Sequence, residues 1–167
     1  MSDKTAMPAR AGEIELERDP AGLAADAGIV FIGHVETPWK TRGECPRNGR
    51  QSREICRVVL KPDYLEGLTS VETCSHLFLL YWMHEARRDL IVQAPRFGSR
   101  AHGCFALRTP VRPNPVSLSV VERLDMTDDG FLVRGLDCLH GTPLVDIKPY
   151  FATTDSVPGA EVGWRKD

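Results

Sequence analysis

Leu118 to Asp137 reads LSVVERLDMTDDGFLVRGLD, two apolar runs on either side of the polar turn Met126-Thr127-Asp128-Asp129-Gly130. Both runs are rich in Val and Leu, which suit a pleated, half-buried surface. The turn has hairpin chemistry, with Asp129-Gly130 expected to supply a position of positive φ. An antiparallel strand pair is expected here, and it sets the pattern for the rest of the chain.

Working outward, five more segments have the same short, strand-like character: IVFIGHVET (29–37), EICRVVLK (54–61), HLFLLYWMH (76–84), GCFALRT (103–109) and PLVDIK (143–148). Gly, Pro, Asp or Asn separate most of them. Nothing repeats at a fixed period and no long amphipathic helix is present; short helical pieces are expected in DYLEGLTSV (63–71) and HEARRDLIV (84–92). The run Leu77 to Met83 is long enough for a strand buried on both faces. It ends in His84-Glu85, a titratable pair expected at the mouth of a barrel. Seven short strands with turn punctuation predict an all-β, mostly antiparallel fold, a small barrel or sandwich. A doubly wound nucleotide fold is excluded, because helices between strands, G-x-G-x-x-G and the P-loop are all missing.

The 167 residues are 42% apolar, enough for one domain with a real core. No apolar run reaches membrane-spanning length, and the first residues lack a signal-peptide core. A cytoplasmic protein without membrane contact is expected. Residues 1–28 read as a flexible polar segment, 29–155 as the domain and 156–167 as a tail. Five cysteines without a C-x-x-C pair argue against a disulfide scaffold. Cys74/His76, His102/Cys104 and Cys138/His140 are pairs whose spacing on a strand would share a face. Structural zinc normally uses wider spacing, so no metal site is expected.

The net charge of −2 conceals two basic segments. Residues 40–57 hold Lys40, Arg42, Arg47, Arg50, Arg53 and Arg57 against Glu44 and Glu54; residues 87–112 hold Arg87, Arg88, Arg96, Arg100, Arg108 and Arg112 against Asp89. Arginine forks onto phosphate and carboxylate, and both segments read as loops lining one site. Within the second, RTPVRPNPVSLS (108–119) is stiffened by Pro110, Pro113 and Pro115. Each proline fixes its own φ and biases the preceding residue to extended backbone, so Arg108, Arg112 and Asn114 are expected on a rigid lip. Gly141-Thr142-Pro143 reads as a tight turn offering backbone amides, with Asp146, Lys148 and Tyr150 alternating outward after it.

FIGHVETPWK, CPRNGRQ, SHLFLLYWMHE, RFGSRAHGCFALRTPVRPNPVSLSVV and GLDCLHGTPLVDIKPY occur in this order, and together they resemble the TsaA-like proteins, also called the TrmO or YaeB family. The resemblance runs from about Ile29 to Asp155. It implies a single-sheet β-barrel that binds S-adenosylmethionine, usually as a homodimer, and methylates N6 of threonylcarbamoyl-adenosine at position 37 of tRNA, beside the anticodon. By motif, it places Pro46, Arg47, Asn48, His84, Glu85, Arg108, Leu118, Leu139, His140, Gly141 and Thr142 at the cofactor. Arg50, Arg53, Arg112 and Asn114 are the residues expected to meet RNA. Asp146 and Tyr150 are the candidates for a general base, with water as the alternative.

This chain departs from the family pattern at two motif positions: Ser117 stands where a glycine is usual, and His140 stands where an acid is usual. Many bacterial members also carry a further C-terminal domain. The rival reading is a binding module for S-adenosylmethionine or RNA without catalysis.

Overall fold

The computed structural model describes residues 8–23, 26–94 and 100–164. Among them the strands are β1 Ile14–Glu15, β2 Gly33–Glu36, β3 Ile55–Leu60, β4 His76–Trp82, β5 Leu90–Gln93, β6 His102–Gly103, β7 Val116–Thr127, β8 Gly130–Arg134 and β9 Thr142–Pro149, followed by the short helix α1, Ala152–Asp155. Six strands close into a barrel in the order β2-β3-β8-β7-β4-β9, and β1-β5-β6 make a separate small sheet. Every barrel pair is antiparallel. Closure leaves the barrel without a free edge.

The β7–β8 hairpin forms as expected, with Thr127 opposite Gly130 and Glu122 opposite Arg134. The role assigned to its glycine needs correcting. Gly130 is absent from the residues of positive φ. It is required because a Cβ there would stand 1.9 Å from the Val58 carbonyl oxygen, where β3 crosses the start of β8.

Alternation along the strands fills the barrel. Val35, Val58, Leu77, Leu79, Tyr81, Val121, Phe131, Val133 and Leu144 are almost fully buried inside it, each side chain worth about 1.5–3 kcal/mol of transfer free energy. Strand β4 is buried on its inner face only. Its outer side chains Phe78, Leu80 and Trp82 are half-buried, a correction to the expectation of burial on both faces. Bulges bend β7 between Arg123 and Asp125 and β9 opposite Leu80 and Tyr81, adding the local twist that closing a sheet requires.

Two other expectations fail locally. HEARRDLIV is not helical: its first half is a turn and Leu90–Gln93 is a strand, as the β-branched Ile91-Val92 favours. Arg87 ion-pairs there with Asp89 at 2.7 Å and with Glu15 at 2.5 Å. GCFALRT pairs only through Gly103, and Cys104–Ala106 is a single 3-10 turn. The closed barrel offers it no edge to join.

Described residues of the N-terminal segment make defined contacts. Ile14 and Glu15 pair with β5, Arg10 bonds Glu13 at 2.7 Å, and Glu13 accepts the Ala94 amide at 3.1 Å. The Arg10 guanidinium lowers the Glu13 carboxyl to a pKa of about 2. Among the described residues no helix is long and apolar enough to cross a membrane.

Candidate active site at the barrel mouth

The strand register decides which loops meet. Glu36 lies opposite Arg57, Ile55 opposite Arg134, Trp82 opposite Val116, and Val35 opposite Thr142. One end of the barrel therefore carries the ends of β2, β4 and β8 and the starts of β3, β7 and β9. The loops before and after these strands supply Pro46, Arg47 and Asn48; His84 and Glu85; Arg108, Arg112 and Asn114; and Leu139, His140 and Gly141. Thr142 and Leu118 sit on the first residues of β9 and β7. Residues spread over nearly a hundred positions of sequence thus gather at one mouth.

Each loop is fixed by identifiable bonds. In the β2–β3 loop, Glu44 accepts the amides of Lys40 and Thr41 at 2.8 and 2.9 Å, which lowers its carboxyl pKa. Asn48 caps the 3-10 turn Gly49–Gln51 by accepting the Arg50 amide at 2.8 Å. Gly49 rests against the next loop so closely that a Cβ would stand 1.8 Å from the Gly135 carbonyl oxygen. Gly49→Ala is accordingly expected to displace this loop and lower the melting temperature by several degrees, as thermal denaturation would show; an unchanged transition would mean that the loops are not packed as described.

The proline loop is held through its carbonyls. Gln93 donates to the Val111 oxygen and Arg88 to the Pro113 oxygen; the Met83 amide donates to Pro115 at 2.8 Å. Arg88 also reaches Asn114 Oδ1 at 3.3 Å and lies 5.4 Å from the Trp82 ring centre. Arg112 donates to the Cys104 carbonyl at 3.3 Å. Arg108 donates to the Leu118 carbonyl at 2.7 Å, so two residues of the family motif are in direct contact. Ser117 lies within β7 opposite Tyr81 and has no positive φ. A glycine is not needed there.

The Gly141 turn differs from its expected chemistry. The His140 amide donates to Trp39 at 2.7 Å, Gly141 to Val35 at 2.8 Å and Thr142 to Leu139 at 3.2 Å. The first two amides bind the β2 side and the third closes the turn on the Leu139 carbonyl, which also accepts the Thr142 hydroxyl at 2.7 Å; none of the three is open to a ligand. Gly141 is nonetheless required for its φ of 78°. The His140 ring donates through Nδ1 to the Thr37 carbonyl at 3.1 Å, because a carbonyl can only accept.

Asp146 and Tyr150 are not at this mouth. Asp146 lies opposite Leu80 in the middle of β9 and pairs with Lys148 at 2.7 Å. It lines a cavity of about 450 Å³ at the other end of the barrel, beside Ile32, Leu60, Leu68 and Ile147. Tyr150 is eight residues beyond Thr142, about 25 Å along the strand, and its ring packs edge-on against Phe78 at 5.3 Å.

Sequence reasoning overlooked one group at the mouth. Asp137 accepts from the Tyr81 hydroxyl at 3.0 Å, and the Tyr81 oxygen in turn accepts from the Ser119 hydroxyl at 2.8 Å. Burial pushes the Asp137 carboxyl pKa up, against the Tyr81 hydrogen bond, the Arg108 charge and the Gly49 amide, which pull it down. The signal was present as the first acid of GLDCLHGTP, directly after the Gly135 turn.

A closed antiparallel barrel with its polar motifs gathered at one mouth is the architecture of a small-ligand site built on loops. Residues 34–156 match the family model described as the tRNA-methyltransferase O N-terminal domain, and the chain belongs to that family. A probable S-adenosyl-L-methionine-binding protein of Archaeoglobus fulgidus is 45% identical over 81% of this chain and 37% of its own length. The probable S-adenosyl-L-methionine-binding protein VirR of Rhizobium radiobacter is 44% identical over 74% of this chain and 71% of its own. The putative S-adenosylmethionine-dependent methyltransferase RcsF of Pseudomonas aeruginosa is 39% identical over 79% of this chain and 58% of its own. The crystal structure of TrmO from Pseudomonas aeruginosa superposes with a TM-score of 0.70 at 29% identity, over 84% of this chain and 63% of that one. The chain thus spans 37% of the first of these relatives and under two thirds of the TrmO chain.

Proposed function

We propose that this protein binds S-adenosylmethionine at the barrel mouth and transfers its methyl group to tRNA, at N6 of threonylcarbamoyl-adenosine 37. The observation that carries the reading is the convergence on one end of the barrel of the loops that bear the motif residues expected at the cofactor. The donor set fits the cofactor. Arg108 is an exposed guanidinium suited to a carboxylate, the exposed residues His140 and Gly141 of the turn offer polar groups to cationic and hydroxyl groups, and a ligand without phosphate needs no Gly-rich cradle. Pro46, Arg47, Asn48, His84 and Glu85 complete the wall; Leu118 contributes the carbonyl that holds Arg108, and Thr142, buried with its hydroxyl on the Leu139 carbonyl, fixes the turn from behind. When bound, the cofactor supplies an electrophilic methyl on a sulfonium centre.

In this reading the protein contributes chiefly by holding the acceptor nitrogen in line, the term expected to dominate a displacement at carbon. The Asp146 and Tyr150 of the same protomer are remote from the mouth, so within one protomer the acceptor proton passes to water or to a mouth residue. Mass spectrometry of tRNA nucleosides after incubation with cofactor tests the reaction. His140 in place of an acid favours the second reading, a cofactor-binding module without catalysis; binding without any methylated nucleoside would establish it.

RNA recognition rests on the β2–β3 loop. Arg42, Arg50 and Arg53 are exposed and enter no ion pair among the described residues, whereas Arg87, Arg88 and Arg112 of the second basic segment are bonded within the fold. Arg96 lies outside the described residues. Replacing Arg50 and Arg53 by alanine is expected to weaken tRNA binding and to flatten the slope of log K against log salt by about 0.7–0.9 per lost phosphate contact. Unchanged affinity and slope, measured by filter binding, would assign RNA recognition elsewhere.

A homodimer is proposed on the outer wall of β4 and β7. Phe78 faces Val120, Leu80 faces Leu118 and Trp82 faces Val116, an apolar row beside a β2–β3–β8 wall that carries Glu36, Arg57 and Asp129 in ion pairs. A second copy would cover it. Val120→Glu is expected to shift the protein to monomer in light scattering, and an unchanged mass would remove this face from the interface. A tRNA substrate places the protein in the cytoplasm.

A further inference from the structure

We propose that Phe105 is a base-stacking residue of the RNA site, receiving an unpaired base that flanks the one presented to the cofactor. The inference rests on the tRNA reading proposed above. It adds an aromatic contact to the phosphate contacts assigned to the β2–β3 loop.

Single exposed apolar residues are ordinary on a protein surface; what sets Phe105 apart is the backbone that holds it. At 76% it is the most exposed large apolar side chain among the described residues, yet it is the middle residue of the 3-10 turn Cys104–Ala106. Gly103 before it pairs with Val92, and Cys104 has no exposed surface. The Cys104 carbonyl accepts the Leu107 amide and the Arg112 guanidinium, both at 3.3 Å, which ties the turn to the proline loop. Other rings nearby already have partners. Trp164 lies on His102 at 4.3 Å and Phe31 is 6.4 Å from Trp82, whereas Phe105 makes no ring contact among the described residues.

Arg108 fixes the distance to the mouth. Three residues of chain span at most about 11 Å, so Phe105 lies within that of Arg108, whose guanidinium holds the Leu118 carbonyl at the start of β7. Nucleotides of a stacked strand follow one another at about 3.4 Å, so the neighbours of a base at the cofactor come within reach of the ring.

Charge selects the partner. From Leu90 to Val121 the sequence holds Arg96, Arg100, Arg108 and Arg112 and no acidic residue. Arg100 is exposed and enters no ion pair among the described residues. A second copy docked here face to face would set like charges together, whereas RNA brings phosphates to the arginines and a π-face to the ring. Drawing a base out for reaction breaks its stacking on its neighbours. A phenyl ring gives one neighbour a new face, without reading sequence, because every base has one.

The test is fluorescence anisotropy of a labelled anticodon stem-loop carrying threonylcarbamoyl-adenosine, titrated with the wild type, Phe105→Ala, Phe105→Leu, Phe105→Trp and Phe151→Ala. Phe105→Ala is expected to weaken binding about 10-fold, Phe105→Leu nearly as much because it is apolar without a π-face, and Phe105→Trp by less than about 2-fold. Phe151 is also exposed, at 59%, but follows Tyr150 at the opposite end of the barrel, so its alanine variant should bind like the wild type. Replacing single loop bases by abasic sites should reveal one position at which Phe105→Ala causes no further loss. Affinity for S-adenosylhomocysteine without RNA should be the same in wild type and Phe105→Ala. RNA affinity unchanged by Phe105→Ala, or restored by leucine, would overturn the stacking role alone. A parallel loss of S-adenosylhomocysteine affinity would give the ring to the cofactor instead, and a fall to monomer in light scattering would give it to a second copy. A wild type that binds no stem-loop would overturn the tRNA reading as well.

Discussion

Phe131→Ala is expected to destabilise the protein by about 3–5 kcal/mol, the range for truncating a fully buried aromatic. Phe131, the second residue of β8, has no exposed surface and stands opposite Val58 on one side and Met126 on the other. It therefore ties β3, β8 and β7 together at the turn end of the hairpin, where Gly130 lets β3 pass close by. Val35, Val58 and Val133 are stiff β-branched side chains that cannot fill the vacated volume, and Met126, opposite Phe131, can fill only part. Equilibrium denaturation reads the loss directly. A cost below about 1 kcal/mol would show that this end of the barrel is loosely packed.

The second large effect concerns the ligand. Arg108→Ala is expected to weaken S-adenosylmethionine by about 1.5–3 kcal/mol, on the order of 10- to 150-fold, if its guanidinium receives the cofactor carboxylate. Removing it also releases the Leu118 carbonyl, which Arg108 holds at 2.7 Å. The barrel core is untouched, so the melting temperature of the free protein should change little. This separates Arg108 from Phe131, whose loss lowers stability first. An affinity unchanged by Arg108→Ala would remove that arginine from the site.

The elements legible in the sequence are those set by local pattern. Leu77, Leu79 and Tyr81 alternate inward because the strand period is two, and β7 and β8 pair because a short polar turn joins two apolar runs. What was not legible depends on partners far along the chain. GCFALRT has the composition of a strand, but the closed barrel leaves it no partner. The second basic segment has the composition of an RNA surface, yet Arg88 reaches the Pro113 carbonyl and Arg112 the Cys104 carbonyl, and no local rule announces such bonds.

The candidate site divides in the same way. Its motif residues were legible through resemblance, and the strand register then places them at one mouth. Asp137 was not singled out, because its meaning comes from Tyr81, 56 residues away. Of the amides expected to be open at the Gly141 turn, that of Gly141 goes to Val35, about a hundred residues upstream, and that of Thr142 to Leu139 within the turn. Asp146 and Tyr150 alternate outward as expected, but on a wall and an end that the loops do not reach.

Methyl transfer to tRNA is tested most directly by incubating the purified protein with unmethylated tRNA and S-adenosylmethionine carrying a deuterated methyl group, then digesting the RNA for nucleoside mass spectrometry. The expected result is a labelled methyl on threonylcarbamoyl-adenosine, lost with Arg108→Ala. Unlabelled threonylcarbamoyl-adenosine, from a protein that demonstrably binds the cofactor, would contradict it.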